Sequence, residues 1–210
     1  ASIQTVMNGL EIPQDVIINI GGDYEEQQES FADLGLLFLL VIVLVYLVMA
    51  SQFESYSRPF VIMFSIPFAV TGAALALWIT GTDLSMIAAL GLVLLVGIVV
   101  KNGIVLVDFT NLMRDRGLEV NEAIAVSGKS RLRPVLMTAA TTILGMFPMA
   151  LGIGEGSEIW SPMGITIIGG MVVSTAITMI LIPVMYGLMA RHGDRDKQEK
   201  TRKQFVFMNK

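Results

Sequence analysis

"VGIVVKNGIVLVDF", residues 96–109, sets a lysine and an asparagine inside one of the most apolar runs of the chain. In a soluble protein Lys101 would reach water with little trouble; in a bilayer it needs a partner or a purpose. The surroundings decide between the two. Of 210 residues 54% are apolar and 15% charged, and the mean hydropathy is +0.70, whereas a soluble domain carries about 25% charged residues. The charges gather in residues 1–33, in one central stretch and in the last 20 residues. Between them lie apolar runs that approach or exceed the roughly 20 residues a helix needs to cross hydrocarbon. The chain reads as an all-α integral membrane protein.

Five spans can be marked, at about 34–50, 59–78, 86–113, 134–152 and 159–190. The third and fifth exceed the hydrocarbon thickness, so each should tilt or project beyond it. Lysine and arginine placement orients the set. Residues 1–33 contain seven acids and no basic residue, and the links around "TGTDLS" and "GIGEGSEIW" contain none either. The other three connections hold Arg58; Arg114, Arg116, Lys129, Arg131 and Arg133; and seven more in the tail from Arg191. Thirteen basic residues against none place the N-terminus outside and the C-terminus in the cytoplasm. The link "EVNEAIAVSGKSRLRP" (119–134) reads as a short amphipathic helix along the cytoplasmic face, in contact with anionic lipid.

Several chemistries drop out. The chain has no cysteine, so disulfides and thiolate metal sites are excluded, and its one histidine, His192, lies in the charged tail. No nucleophile, base and orienting group converge in the sequence, which argues against an enzyme and leaves no cofactor to expect. Ala69 and Ala73, Gly72 and Ala76, and Gly170 and Ser174 stand four apart, a spacing that lets helix backbones approach in lipid. Pro67 and Pro183 fall inside spans and should kink them. Residues 1–33 have another character. "DVIINIGG" (15–22) reads as a strand ending in a glycine turn, and "DYEEQQESFADL" (23–34) as a polar helix entering the membrane. A lone strand needs partners, so this segment is expected to be the end of an extracytoplasmic domain in a longer protein.

Lys101 lies 13 residues before Arg114, roughly 20 Å along a helix axis. A lysine side chain spans only about 6 Å and cannot snorkel that far. Its charge at the bilayer centre costs on the order of 2.5–3.5 kcal/mol on insertion scales. It should therefore face a protein interior and hold a carboxylate. Asp108 shares its helix face but stands two turns away, roughly 10 Å along the axis, and no other acid lies at that depth. Thr138 and Thr142 are one turn apart on the fourth span, and Arg131 shares their face if that helix begins early enough. The threonines either bond their own helix's carbonyls or line a polar path beside Lys101; spacing leaves both open.

"ASQFESYSRPFVIMFSIPFAVTGA" (50–73), "GLVLLVGIVVKNGIVLVDF" (91–109) and "RLRPVLMTAATTILGMFPMALG" (131–152) together resemble the C-terminal membrane half of resistance-nodulation-division efflux pumps. The likeness is greatest to the hydrophobe/amphiphile branch of Gram-negative bacteria, and it covers nearly the whole chain. The resemblance implies the last five helices of a twelve-helix, proton-driven transporter of the inner membrane. Such transporters are homotrimers that work with a periplasmic adaptor and an outer-membrane channel, and they export hydrophobic or amphiphilic compounds rather than metal ions. Residues 1–33 would then end a periplasmic porter domain, 34–190 would form the membrane domain, and 191–210 the cytoplasmic tail. Lys101, Arg131 and Thr138 match the proton-relay positions, with Asn102, Asp108 and Thr142 as polar support. The acidic pair that holds Lys101 would lie in the N-terminal half, so these residues alone should not transport. Two alternatives remain: a stand-alone five-span scaffold, and one chain of a split transporter. Neither reading involves nucleic acid.

Overall fold

The computed structural model describes residues 23–208, with side chains over 27–189. Six helices follow in order: α1 Asp23–Phe53, α2 Ser57–Met63, α3 Ile66–Thr80, α4 Met86–Asp115, α5 Val120–Ala150 and α6 Ser157–Met208. They provide five segments long and apolar enough to cross a membrane: Gln27–Phe53, Ser57–Thr80, Met86–Asp115, Val120–Ala150 and Ser157–Met189. The expected strand at 15–20 lies outside the described residues. The polar entry helix and the first span are one continuous α1, and the fifth span runs on as helix into the charged tail.

Two sequence expectations are refined or corrected. The second span, Ser57–Thr80, is interrupted just before Pro67, where a kink was expected. α2 and α3 are separated at Phe64–Ser65, both in helical backbone conformation, and Pro67 sits in the first turn of α3. Proline has no N–H to give the carbonyl four residues back, so a helix restarts there more readily than it continues. The buried Ser65 hydroxyl donates to the Ile62 carbonyl at 2.7 Å, satisfying one of the groups freed by the break. The second correction concerns the cytoplasmic link. Its amphipathic helix is not separate from the fourth span but forms the first half of α5, which runs through Pro134 unbroken. One lost hydrogen bond does not end a helix held on both sides of the proline. Here Ile124 packs near Gly187 of α6 below it, and Ala150 lies against Gly164 above.

Three connections close in the same way. Gly81, Gly117 and Gly152 each take a left-handed φ, at +68°, +93° and +66°. In each case the residue after the glycine donates back into the last helical turn: Thr82 to Leu77, Leu118 to Met113 and Ile153 to Pro148. This double closure satisfies end carbonyls that would otherwise be stranded near lipid. Ser85 then caps α4, its hydroxyl accepting from the Ala88 amide at 3.2 Å. At the α5–α6 corner Ser161 donates to the Ala150 carbonyl at 2.7 Å.

α6 is the hub and packs on α3, α4 and α5. Small residues make this possible. A Cβ on Gly72 would stand 2.6 Å from the Val173 Cβ and 2.8 Å from the Gly169 carbonyl oxygen, and one on Gly169 would strike Ala76. Gly170 lies against Leu95 of α4 and the Ala69 carbonyl of α3. The four-residue pairs seen in the sequence are therefore the α3–α6 crossing itself. Gly169, which belongs to none of those pairs, is the tightest point. Two apolar clusters fill the bundle, one around Met49, Ile62, Val100 and Ile182, the other around Ala73, Val99, Ala139 and Met171. α1 contributes its C-terminal half, from Phe38 to Phe53, while Leu36, Leu39 and Val48 are more than 60% exposed, as suits a lipid-facing helix.

Candidate functional site

Lys101 projects from an uncovered face of α4. Leu90, Leu94, Gly97, Lys101, Asp108 and Leu112 are all exposed, and their spacing of four, three, four, seven and four is that of a helix–helix seam. The opposite side of the same helix is packed: Leu95, Val99, Val100, Leu106 and Val107 are each at most 3% exposed. Two charged groups, Lys101 and Asp108, thus interrupt an apolar stripe that nothing among the described residues covers. No carboxylate among the described residues pairs with Lys101. Asp108 is on the same stripe and exposed, too far along the axis to serve.

α5 carries the other candidates, and its early start places them on one rigid element. Arg131, Val135, Thr138 and Thr142 recur at four, three and four, so they share a face. Arg131 is half-buried and its guanidinium lies 4.2 Å from the centre of the Phe109 ring of α4. Such a stack is worth about 0.5–2 kcal/mol, more as the cation is desolvated. Thr138 is exposed and donates to the Val135 carbonyl at 2.9 Å, and half-buried Thr142 donates to the Thr138 carbonyl at 2.9 Å. Both hydroxyls are thus committed to their own helix as donors, yet each oxygen can still accept. Asn102, one residue beyond Lys101, is half-buried and lies with Ile98 and Phe109 on the α4 stripe turned toward α5.

The structure thus brings Arg131 and α4 into contact, sets Thr138 and Thr142 on the same face of α5 roughly 10 and 16 Å further along, and leaves Lys101 on the open seam. Phe109 was not singled out in the sequence. Its signal was faint: an aromatic seven residues after Asn102, hence on the same face. The hydrogen bond from the buried Tyr186 hydroxyl to Asn111 Oδ1, at 2.6 Å, also joins α6 to α4 without any local sequence cue. Among the described residues no group of three or more histidines and acids gathers to hold a metal ion.

A family model described as the AcrB/AcrD/AcrF family matches residues 1–190. The swarming motility protein SwrC of Bacillus subtilis is 41% identical over 192 residues, covering 91% of this chain and 18% of that protein. The cobalt-zinc-cadmium resistance protein CzcA of Cupriavidus metallidurans is 36% identical, over 92% of this chain and 18% of its own length. The multidrug resistance protein MdtC of Erwinia tasmaniensis is 38% identical, over 89% and 18%. The crystal structure of a heavy metal efflux pump superposes with a TM-score of 0.75 at 30% identity, over 90% of this chain and 19% of that one. This chain spans about a fifth of the length of the proteins it matches, and relatives named for metals and for drugs match to nearly the same degree.

Proposed function

The chain belongs to the AcrB/AcrD/AcrF family of resistance-nodulation-division transporters, and from that premise we propose that it is the C-terminal membrane portion of a proton-driven efflux pump for hydrophobic or amphiphilic compounds. It is a multi-pass membrane segment of a transporter, not an enzyme. The observation that carries the proposal is Lys101: a mid-membrane cation on an uncovered helix seam that it shares with one distant acid, Asp108. An uncovered seam calls for another helix, and a cation there calls for a carboxylate on that helix. The partner helix belongs to the rest of the transporter, outside these 210 residues.

The mechanism follows from that pairing. With the partner carboxylates ionised, Lys101 is held across the seam. Protonating them removes most of the attraction, and the ammonium turns toward oxygens that can accept, such as Thr138 on α5. Arg131, stacked on Phe109, ties α4 to α5, so a shift of one helix is felt by the other. Proton binding thereby selects between two arrangements of the bundle, which is what coupling requires. By this reading residues 1–33 end a periplasmic porter domain and the tail is cytoplasmic. The working unit is an inner-membrane trimer served by a periplasmic adaptor and an outer-membrane channel.

The test is reconstitution of the full-length protein in proteoliposomes under an imposed pH gradient, with an amphiphilic dye and, separately, divalent zinc or cobalt as cargo. Gradient-dependent movement of the dye, lowered at least about tenfold by Lys101→Ala, is the expected result. Movement of the metal and not the dye would assign the second reading, metal export, which similarity to CzcA and to the heavy metal pump favours. Full activity in the Lys101→Ala variant would remove the relay.

A further inference from the structure

Most hydroxyls within these helices donate to a carbonyl three or four residues back in their own helix. Thr71, Thr110, Thr141, Thr142 and Thr166 each donate to the carbonyl four residues back, at 2.7–2.9 Å. Thr175 and Thr178 of α6 do not. They are 7% and 3% exposed, their hydroxyl oxygens are out of reach of solvent, and neither has a hydrogen-bonding partner in the protein. Only one other buried side-chain atom among the described residues shares that condition, Nε of Arg131. A buried polar group without a partner costs about 1–3 kcal/mol, and two such hydroxyls three residues apart on one helix call for a common explanation.

Their depth supplies it. α5 and α6 meet where Ile124 lies near Gly187. Counting about 1.5 Å per residue from there, Arg131 stands about 10 Å along α5, and Thr178 and Thr175 about 14 and 18 Å along α6. On the α4 side, Gly103 packs on Ile182. Asn102 is one residue before that glycine, and Thr178 is one turn before that isoleucine. Thr178 thus lies within about one turn of the depth of Asn102, a half-buried amide that also has no partner among the described residues, whereas the Arg131 guanidinium reaches toward Phe109, roughly 10 Å further along α4. Thr175 and Thr178 stand three apart and share a face of α6. That face lies between the contacts α6 makes with α5 at Gly164 and with α4 at Ile182.

We propose that Thr175 and Thr178 are a binding site for internal water at the α4–α5–α6 junction, and that this water hydrates the layer behind Lys101. The two hydroxyls, with the Asn102 amide near the depth of Thr178, offer the two to four partners that a buried water requires. The site gives the relay a polar interior on the side away from the open seam. It makes Thr175 and Thr178 positioning residues: they touch the water, not the transported proton's acceptor. The functional part of the proposal rests on the proton-driven reading above; the water site itself does not.

The test uses the full-length protein in lipid nanodiscs, at a resolution that reveals ordered water. The expected result is a density peak within hydrogen-bonding distance of both Thr175 Oγ1 and Thr178 Oγ1. No peak, with the two hydroxyls turned to the carbonyls of Met171 and Ser174, overturns the site. In proteoliposomes, the Thr175→Val/Thr178→Val variant should slow gradient-driven export about tenfold, and Thr175→Ser/Thr178→Ser should stay within about twofold of the parent. Undiminished export by the valine variant overturns the functional part even where the water is seen. Because the density is read on the unsubstituted protein, a valine variant that fails to fold still leaves the site decided. Lys101→Ala in the same assay reports on the proton-driven reading separately.

Discussion

At the scale of residues, the chain is organised around cations that have been placed where they are costly. Lys101 has no partner among the described residues, whereas Arg131 has found a ring. A guanidinium lies flat on an aromatic face and an ammonium does not, so Arg131→Lys is not a conservative change. It should lower the stability of the α4–α5 contact by about 0.5–2 kcal/mol, read as a lower thermal midpoint in detergent. An unchanged midpoint would mean that the Phe109 stack contributes nothing. Much of this was legible beforehand. An intramembrane lysine and the lack of an acid at its depth can be read from composition and spacing alone. The stacking on Phe109 cannot, because it depends on which faces of two helices meet. Nor can the partnerless hydroxyls of Thr175 and Thr178, which differ from Thr166 and Thr142 only in the direction of a side chain.

At the scale of elements, glycine does two jobs that predict opposite outcomes from the same substitution. Gly117 closes α4 at φ +93°, a conformation that costs an L-residue roughly 1–2 kcal/mol. Gly117→Ala should destabilise by about that much. Gly35 lies inside α1 at a site where an added Cβ meets nothing within 4 Å, so Gly35→Ala should stabilise the helix by about 0.5–1 kcal/mol. Gly169→Val is the severe case, since even a first carbon there strikes Ala76 at the α3–α6 crossing. Overpacking of that kind costs about 1–3 kcal/mol, and thermal melts of the three variants would rank them Gly35→Ala above parent, then Gly117→Ala and Gly169→Val below. The spans and the packing pairs were visible in the sequence because lipid imposes length and small residues impose closeness. The prolines behave differently from one another. The helix is interrupted just before Pro67, where a kink was expected, and α5 runs through Pro134 without a break. What separates them is context: α5 is pinned to α6 on either side of Pro134, while Pro67 follows a turn already stabilised by Ser65.

For the whole molecule, the informative surface is the one left bare. Lipid accounts for the exposed leucines of α1, but not for a stripe on α4 that is interrupted by Lys101 and Asp108. In the proposed pump, a seam of that pattern takes a helix from elsewhere in the transporter. The chain covers 18% of the length of its relatives, which leaves ample protein to supply one. The most direct measurement is the distance from Lys101 Nζ to the closest carboxylate oxygen in a structure of the full-length protein at neutral pH. A carboxylate from outside these 210 residues within about 4 Å, on a helix that also buries Leu90, Leu94 and Gly97, is the predicted result. Lys101 facing lipid or bulk water, with that stripe still bare, would contradict it.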